Sequence, residues 1–466
     1  MKIKFIGAAR EVTGSKHLIT TDSGKNILLD CGMFQGKGLE TDAMNRDLML
    51  DPVLIDHIIL THAHIDHAGL IPYMYKMGFR GSVICSNATR DLCAIMLVDS
   101  AFIQEHDTYT FNKRRAKKGL PLVTPLYTQE DARQCMNLFI GIPNNMKFRI
   151  DENLKVKFTS TGHMLGSGVA NLEIIENGTT KRISYTGDIG RPENRILTLP
   201  EPFPQADVVI AESTYGNRLH SDNTTTEDEL LNIITHTCVN KGGKLIIPAF
   251  SVGRTQEVVY ALNNFFNEGL LPRVNVYVDS PLSVNATTVF RAHPENCNND
   301  FIKAMETDPD PFGFGNLYYI THQQESKKLN EYKKPCIIIS ASGMMEAGRV
   351  KHHLANNISD PKNTVLAVGY CSPTTLGARI LRGDSEISIH GTVHKVNAEI
   401  RKLDSFSGHA DYNEMIKFLE CQNKEAIKKL FLVHGEYETQ KNYLELLKQT
   451  GFKNIEIPSK GQEYSM

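Results

Sequence analysis

The sequence predicts an α/β protein of two domains, and three observations carry that expectation. Short apolar runs recur along the chain, each closing on a polar or glycine-containing turn, as strands do. Between them lie longer stretches with helical spacing, in which Leu92, Ile95, Met96 and Phe102 share one face. The chain has 466 residues, more than one ordinary hydrophobic core takes in, so length alone favours two domains.

Taken in order, Ile3 to Ile6, Lys16 to Thr20 and Asn26 to Asp30 read as three strands of a β meander. Asp30 ends the third and is followed by Cys31 and Gly32, where an aspartate by itself suits a turn cap. Ile55 to Leu60 reads as a short buried strand, and Thr61-His62-Ala63-His64-Ile65-Asp66-His67 follows it directly. Imidazole nitrogens and a carboxylate oxygen crowded at one strand end are the donor set of a borderline cation such as Zn²⁺. Leu70 to Met77 and Thr89 to Ala101 then carry helical spacing. Asn112 to Gly119 is the one dense basic run, either a solvated helix face or a contact for phosphates.

Two further strand ends carry metal-type residues. The run Lys155 to Phe158 leads to Gly162-His163-Met164-Leu165-Gly166-Ser167, and Arg182 to Tyr185 leads to Gly187-Asp188. A lone histidine among glycines is weak evidence, whereas strand ends on one sheet edge can converge and one carboxylate can bridge two cations. In the second half, Val208 to Ala211 ends on Glu212. Apolar runs begin again at Lys244, Val274, Cys336 and Thr364, the last reaching Tyr370, each with a polar loop behind it and helical segments between. That alternation is expected of a parallel α/β domain. Near the end, Phe406-Ser407-Gly408-His409-Ala410-Asp411 and Leu430-Phe431-Leu432-Val433-His434-Gly435-Glu436 each present a histidine.

Composition limits the partners and the compartment. The formal net charge is -2, so no polybasic coat is available and any polyanion must be met by local groups. Nine cysteines are spread out without a CxxC pair, and Cys31, Cys85, Cys93 and Cys336 lie in apolar segments, as expected in a reducing cytoplasm. The N-terminus is too short and polar for a signal peptide and no apolar run is long enough to span a membrane, so a soluble intracellular protein without a membrane partner is expected.

The motifs LLDCG at Leu28 to Gly32, THAHIDHAG at Thr61 to Gly69, GHMLGS at Gly162 to Ser167 and YTGDIG at Tyr185 to Gly190 resemble the successive motifs of the metallo-β-lactamase superfamily. The Val208 to Gly216 segment, the Phe406 to Asp411 segment and the Leu430 to Glu436 segment resemble signatures of its β-CASP branch, which acts on nucleic acids. The fold this implies is an αββα metallo-β-lactamase sandwich with an inserted parallel α/β β-CASP domain. Residues 1–205 would form the first part of the lactamase domain, 206–390 the insert, and 391–466 the returning C-terminal part. The resemblance further implies two Zn²⁺ ions per chain. His62, His64 and His163 would hold one, Asp66, His67 and His434 the other, and Asp188 would bridge them. Asp30 would orient ligands without binding metal. His409 would be the general acid, with Glu212 holding its ring, and Asp66 and Asp30 complete the catalytic group.

The activity implied is a zinc-dependent ribonuclease hydrolysing phosphodiester bonds of single-stranded RNA, in endonuclease or 5′-exonuclease mode. A histidine at the position of His434 is the pattern of the RNA-processing members, whereas the DNA-repair members typically have another residue there. RNA is expected in the groove between the domains, near Arg254, Ser342, Gly343 and His352, with Lys351, His353 and Arg379 as further candidates. Two other readings stand beside it, a hydrolase of a small-molecule ester or thioester and a non-catalytic RNA-binding subunit. The large insert and His409 speak against the first, and the intact ligand set against the second. The chain is expected to carry neither the C-terminal dimerisation domain of the ribonuclease J kind nor the KH-type module of archaeal relatives. The sequence fixes no oligomeric state, and a homodimer is admitted.

Overall fold

The computed structural model describes residues 1–36, 38, 40–220, 226–369, 371, 374–403 and 408–466. Phe406 and Ser407 of the His409 segment, and Tyr370 at the end of the Thr364 run, lie outside the described residues. The chain divides into two compact units, Met1–Leu219 with His409–Met466, and His220–Gly408.

In the first unit the described residues form two seven-stranded sheets. One contains the antiparallel strands Lys2–Gly7, Lys16–Thr20 and Asn26–Leu29, then His57–Ile59, Ser82–Ser86 and Phe139–Ile142 in parallel. Its outer edge is Glu463–Ser465, which pairs antiparallel with Lys2–Gly7 and so ties the end of the chain to its start. The other sheet contains Phe148–Arg149, Leu154–Ser160, Gly168–Glu176, Thr179–Tyr185, Val208–Glu212, Lys429–Val433 and Ile455–Glu456.

The period-two alternation of strands explains how these sheets stack. Ile3, Phe5, Ile27, Leu29 and Ile59 from one sheet share a core with Val156, Phe158, Leu172, Ile183, Ile210 and Phe431 from the other. On Val208–Glu212 the alternate residues Val209 and Ala211 face the opposite way. There they meet Met415 and Phe418 of the helix Tyr412–Leu419, and Tyr443 and Leu447 of the helix Tyr437–Gln449. Both helices begin on recognisable signals: Asp411 caps the first in a capping box with Glu414, and the second follows Gly435 and Glu436. A strand buried on both faces must be apolar at every position, and Val208-Val209-Ile210-Ala211 is. Val208, Val209 and Ile210 each contribute roughly 1.5–3 kcal/mol by leaving water.

Two segments lie across the boundaries expected from the sequence. Val208–Glu212 pairs in parallel with Thr179–Tyr185 and Lys429–Val433, inside the first unit. Its continuous apolar run looks like a strand of the insert because strands buried on both faces in either unit have the same pattern. Glu399–Lys402 pairs in parallel with Thr364–Ala367, inside the second unit. As an edge strand with exposed Arg401 and Lys402 it lacks the apolar run that marks the others.

Among the described residues the second unit contains a six-stranded, all-parallel sheet in the order Leu317–Ile320, Asn275–Asp279, Cys336–Ser340, Lys244–Pro248, Thr364–Ala367, Glu399–Lys402, and a separate antiparallel pair, Glu386–Ile389 with Thr392–Lys395. The helices Arg254–Asn267, Pro281–Ala292 and Val350–Asn357 alternate with these strands, as parallel connections require.

Candidate metal centre

Every candidate metal ligand belongs to the first unit, and all but Asp66 and His67, which lie on the short helix Ile65–Ala68, sit within a few residues of a strand end. His62, His64, Asp66 and His67 follow His57–Ile59, His163 follows Leu154–Ser160, Asp188 follows Thr179–Tyr185, and His434 follows Lys429–Val433. Strand ends are stiff because the ladder behind them is paired, whereas the residues just beyond are free to turn inward. Gly187 makes one such turn: it has φ 54°, and a Cβ there would lie 2.6 Å from Thr61 Oγ1, so only glycine lets the Asp188 loop approach the His62 loop.

The seven side chains converge as two groups around Asp188. Its Oδ2 lies 3.6 Å from His62 Nε2 and 3.4 Å from His163 Nε2, and His163 Nε2 lies 3.1 Å from His64 Nδ1. Its Oδ1 lies 3.2 Å from His67 Nε2 and 3.6 Å from His434 Nδ1. His434 Nε2 is 3.1 Å from His67 Nε2 and 3.5 Å from Asp66 Oδ2. A tetrahedral ion with bonds of ~2.0–2.1 Å would separate its ligands by roughly 3.3 Å, so these gaps have the size a zinc coordination sphere needs. His62 Nε2 and Asp188 Oδ1 are buried without a hydrogen-bond partner. Such atoms are costly unless something occupies the space they face, and a cation fits both. His62, His64, His163 and Asp188 form one set whose ligand atoms all lie within 4.8 Å of one another, and Asp66, His67 and His434 form a second.

Charge in the cluster follows from burial and proximity. Burial pushes His62 well below its ordinary pKa and His64 down to about 4, leaving neutral imidazoles able to ligate. Burial works against ionised Asp66, but His434 and His67 outweigh it and hold that carboxyl at about 2. Asp188 is likewise held well below the carboxylate range, by His434, His67 and His62 against the cost of burial.

Asp30 lies behind the ligands. Its Oδ2 accepts from His67 Nδ1 at 2.6 Å and from the Tyr185 hydroxyl at 2.9 Å, and its Oδ1 from the Thr61 backbone N–H at 2.8 Å. That fixes the His67 ring with Nε2 toward Asp188. Thr214 Oγ1, 2.9 Å from His434 Nδ1, has the corresponding place behind His434, and Thr61 Oγ1, 3.0 Å from Nδ1, behind His62. Tyr185, Thr61 and Thr214 carry no signal as residue types. Their only mark in the sequence is adjacency to ligands inside the motifs.

His409 lies beside this cluster, its ring centroid 4.6 Å from that of His163. Its Nδ1 is 3.3 Å from Glu212 Oε2, and the Glu212 carboxylate also accepts the backbone N–H of Ile189. The backbone N–H of Ala410 bonds to the Ile189 carbonyl at 2.9 Å, tying the His409 segment to the Asp188 loop. Burial opposes the imidazolium of His409, but Glu212, then Asp188 and Asp66, outweigh it and push its pKa up to about 9.

The residues expected to touch RNA lie in the second unit and are occupied differently. Arg254 starts the helix Arg254–Asn267 and is ion-paired with Glu257. The Ser342 hydroxyl bonds to the Ala347 backbone at 3.3 Å, and Gly343 packs against Phe250. His352 stacks on His390 at 4.5 Å. His353 is buried with Nε2 2.6 Å from Asp279, and Arg379 Nε donates to Asp384 at 2.9 Å. Lys351 is half-buried.

Three families match the chain in succession: the metallo-beta-lactamase superfamily over residues 12–87, the Beta-Casp domain over 255–380, and the Zn-dependent metallo-hydrolase RNA specificity domain over 393–458. Among similar proteins, ribonuclease TTHA0252 of Thermus thermophilus is 34% identical over 442 residues, covering 94% of each chain. An RNase J-like protein of Methanocaldococcus jannaschii is 32% identical and covers 98% of this chain and 97% of its own. Transcription termination factor FttA of the same organism is 30% identical over 98% of this chain and 70% of its own. With full-length relatives at that identity, and with the lactamase motifs brought together around Asp188, the chain belongs to the β-CASP family of the metallo-β-lactamase superfamily.

Proposed function

We infer that this chain is a metal-dependent ribonuclease hydrolysing phosphodiester bonds of single-stranded RNA. The observation that carries the reading is Asp188, whose two oxygens face separate histidine sets while His409 stands beside them. The similar proteins named ribonuclease and RNase J-like, and the match to the RNA specificity domain, support RNA as the substrate.

His62, His64 and His163 would hold one Zn²⁺, Asp66, His67 and His434 the other, with Asp188 shared. When bound, two such ions lower the pKa of a water toward neutrality and neutralise charge that develops on phosphoryl oxygens. His409 supplies the proton that the departing ribose 3′-oxygen needs. Glu212 accepts the Nδ1 proton and keeps the imidazolium oriented, so the transferred proton comes from Nε2. Arg254, Ser342, Gly343 and His352 are assigned to RNA because they follow the C-terminal ends of Lys244–Pro248 and Cys336–Ser340, neighbouring parallel strands where open α/β sheets take ligands. Free thiols, all buried except Cys421, agree with a reducing cytoplasm. No helix among the described residues is long and apolar enough to cross a membrane.

Metal analysis combined with cleavage of end-labelled single-stranded RNA tests this reading. Two zincs per chain with release of labelled fragments is expected. A zinc-loaded chain that leaves every single-stranded RNA intact while hydrolysing a thioester or small ester would replace it.

A further inference from the structure

The helix Asn87–Ala116 has 30 residues, and those it buries end at Ala101. The stretch from Phe102 to Ala116 therefore runs on for roughly 22 Å with no buried residue, covered only in part by the loop that follows it. It is not a plain solvated surface: Phe102 is 55% exposed, Tyr109 60%, and Leu122 in the loop behind it 65%. Large apolar groups gathered this way mark a surface that something covers.

The projection is also held in shape. Asn112 Nδ2 donates to the Val123 carbonyl at 2.8 Å, and the Val123 N–H returns a bond to Asn112 Oδ1 at 3.0 Å. Arg115 Nε donates to the Pro121 carbonyl at 2.5 Å, and Arg46 Nη2 to that of Thr124 at 2.7 Å. Between Asp107 and Glu130 the sequence has five cations, Lys113, Arg114, Arg115, Lys117 and Lys118, and no carboxylate. Cations lie against the aromatic rings: Lys113 Nζ is 4.3 Å from the Tyr109 centroid and Arg115 Cζ is 5.5 Å from that of Phe111.

Charge decides the occupant. In a twofold contact with a second copy the same cations would meet each other, and like charges brought together at an interface repel. Single-stranded nucleic acid is complementary to both features, since phosphates pair with cations and bases stack on exposed aromatic rings. We propose that residues 102–124 form a second RNA-binding surface outside the metal centre. Lys113, Arg114, Lys117 and Lys118 contact phosphates there, and Tyr109 and Phe111 offer stacking faces. The choice of RNA as the polyanion rests on the ribonuclease reading.

The test uses two variants of the full, zinc-loaded chain, Lys113→Ala/Arg114→Ala/Lys117→Ala/Lys118→Ala and Tyr109→Ala/Phe111→Ala, with unchanged melting temperature as the folding control. Anisotropy of a labelled single-stranded RNA on the order of 30 nucleotides is followed against salt, with His409→Ala added to keep the RNA intact. Each phosphate contact on a single strand contributes ~0.7 to the slope of log affinity against log salt, so the cation variant should lose roughly 2–3 from that slope. Its affinity should fall at least about tenfold, while a hexamer is cut as fast as by the unaltered chain. The aromatic variant should bind more weakly with its slope unchanged. Equal slope and affinity in the cation variant would overturn the proposal. So would a dimer in sedimentation that Phe102→Ser/Leu122→Ser dissociates, because the surface would then belong to self-association. A chain that binds RNA through these residues but cleaves none removes the ribonuclease reading and leaves this surface standing. A chain that cleaves RNA and ignores both variants removes only the surface.

Discussion

Asp30 Oδ2 sits 2.6 Å from His67 Nδ1, and both side chains are fully buried. The carboxylate, held also by Thr61 and Tyr185, fixes which ring nitrogen of His67 faces Asp188. Asp30→Asn keeps the shape and removes the charge. It should weaken zinc binding by about 10- to 100-fold with little change elsewhere. Competition for zinc with a chelator of known affinity measures this, and unchanged affinity would leave Asp30 with the role of a turn cap.

His409→Ala should retain both metal ions and lose about 10²- to 10⁴-fold in kcat. Glu212→Gln should lose less, because it leaves the imidazole in place and changes only its orientation and charge balance. If Glu212 acts by positioning, KM for RNA stays constant while kcat falls and the pH profile moves. A change confined to KM would move Glu212 to substrate binding.

Removal of metal should destabilise the first unit selectively. His62 Nε2 and Asp188 Oδ1 are buried with no hydrogen-bond partner among the described residues, so a bound cation would satisfy both. A ligand present at a hundred times its Kd adds ~2.7 kcal/mol per site to the folded state. Chelator titration followed by hydrogen exchange should show lost protection in Lys2–Gly7, Lys429–Val433 and their neighbours, with His220–Gly408 unaffected. Uniform loss across both units would disprove a local metal linkage.

Lys16 is a buried ammonium beneath the Phe34 ring, donating to the Gly32 carbonyl at 3.0 Å. Burial, opposed by Cys31, lowers its pKa from 10.5 to about 8. Below pH 8 both folded and unfolded chains carry the proton, and the folded state bears the full cost of burying it. As pH rises from about 8 to 10.5 the folded chain releases it first, so Lys16 makes stability rise with pH across that window, by on the order of 3 kcal/mol in all. Lys16→Met should stabilise the chain most near pH 7, with the advantage fading toward pH 10.5. A constant difference across the window would show that Lys16 does not titrate there.

Much of the candidate centre was legible because the residues that cluster around Asp188 follow apolar runs, and a run ending on His, Asp or Glu keeps that mark whatever the strand pairs with. His163 was weak in isolation, one histidine among glycines, and only its distance to Asp188 gives it a place. Thr214 and Tyr185 could not be read as functional, since a hydroxyl at a strand end is ordinary until a ligand ring is found beside it. The boundary of the insert was blurred at Val208–Glu212 for a related reason: a strand buried on both faces carries no trace of which sheet it joins.

The sequence by itself determined the donor types, their order and the α/β class, because apolar periodicity and residue chemistry are local properties; the αββα layering was implied by the resemblance of its motifs. The tertiary structure decided that the two oxygens of Asp188 serve different histidine sets. It also decided that Glu212 belongs with His409 across nearly 200 residues of chain, and that the basic run begins on the half of the helix Asn87–Ala116 that lies beyond its last buried residue, Ala101. These facts depend on which strand ends lie side by side and which helix outruns its core, and such long-range pairings leave no local pattern to read.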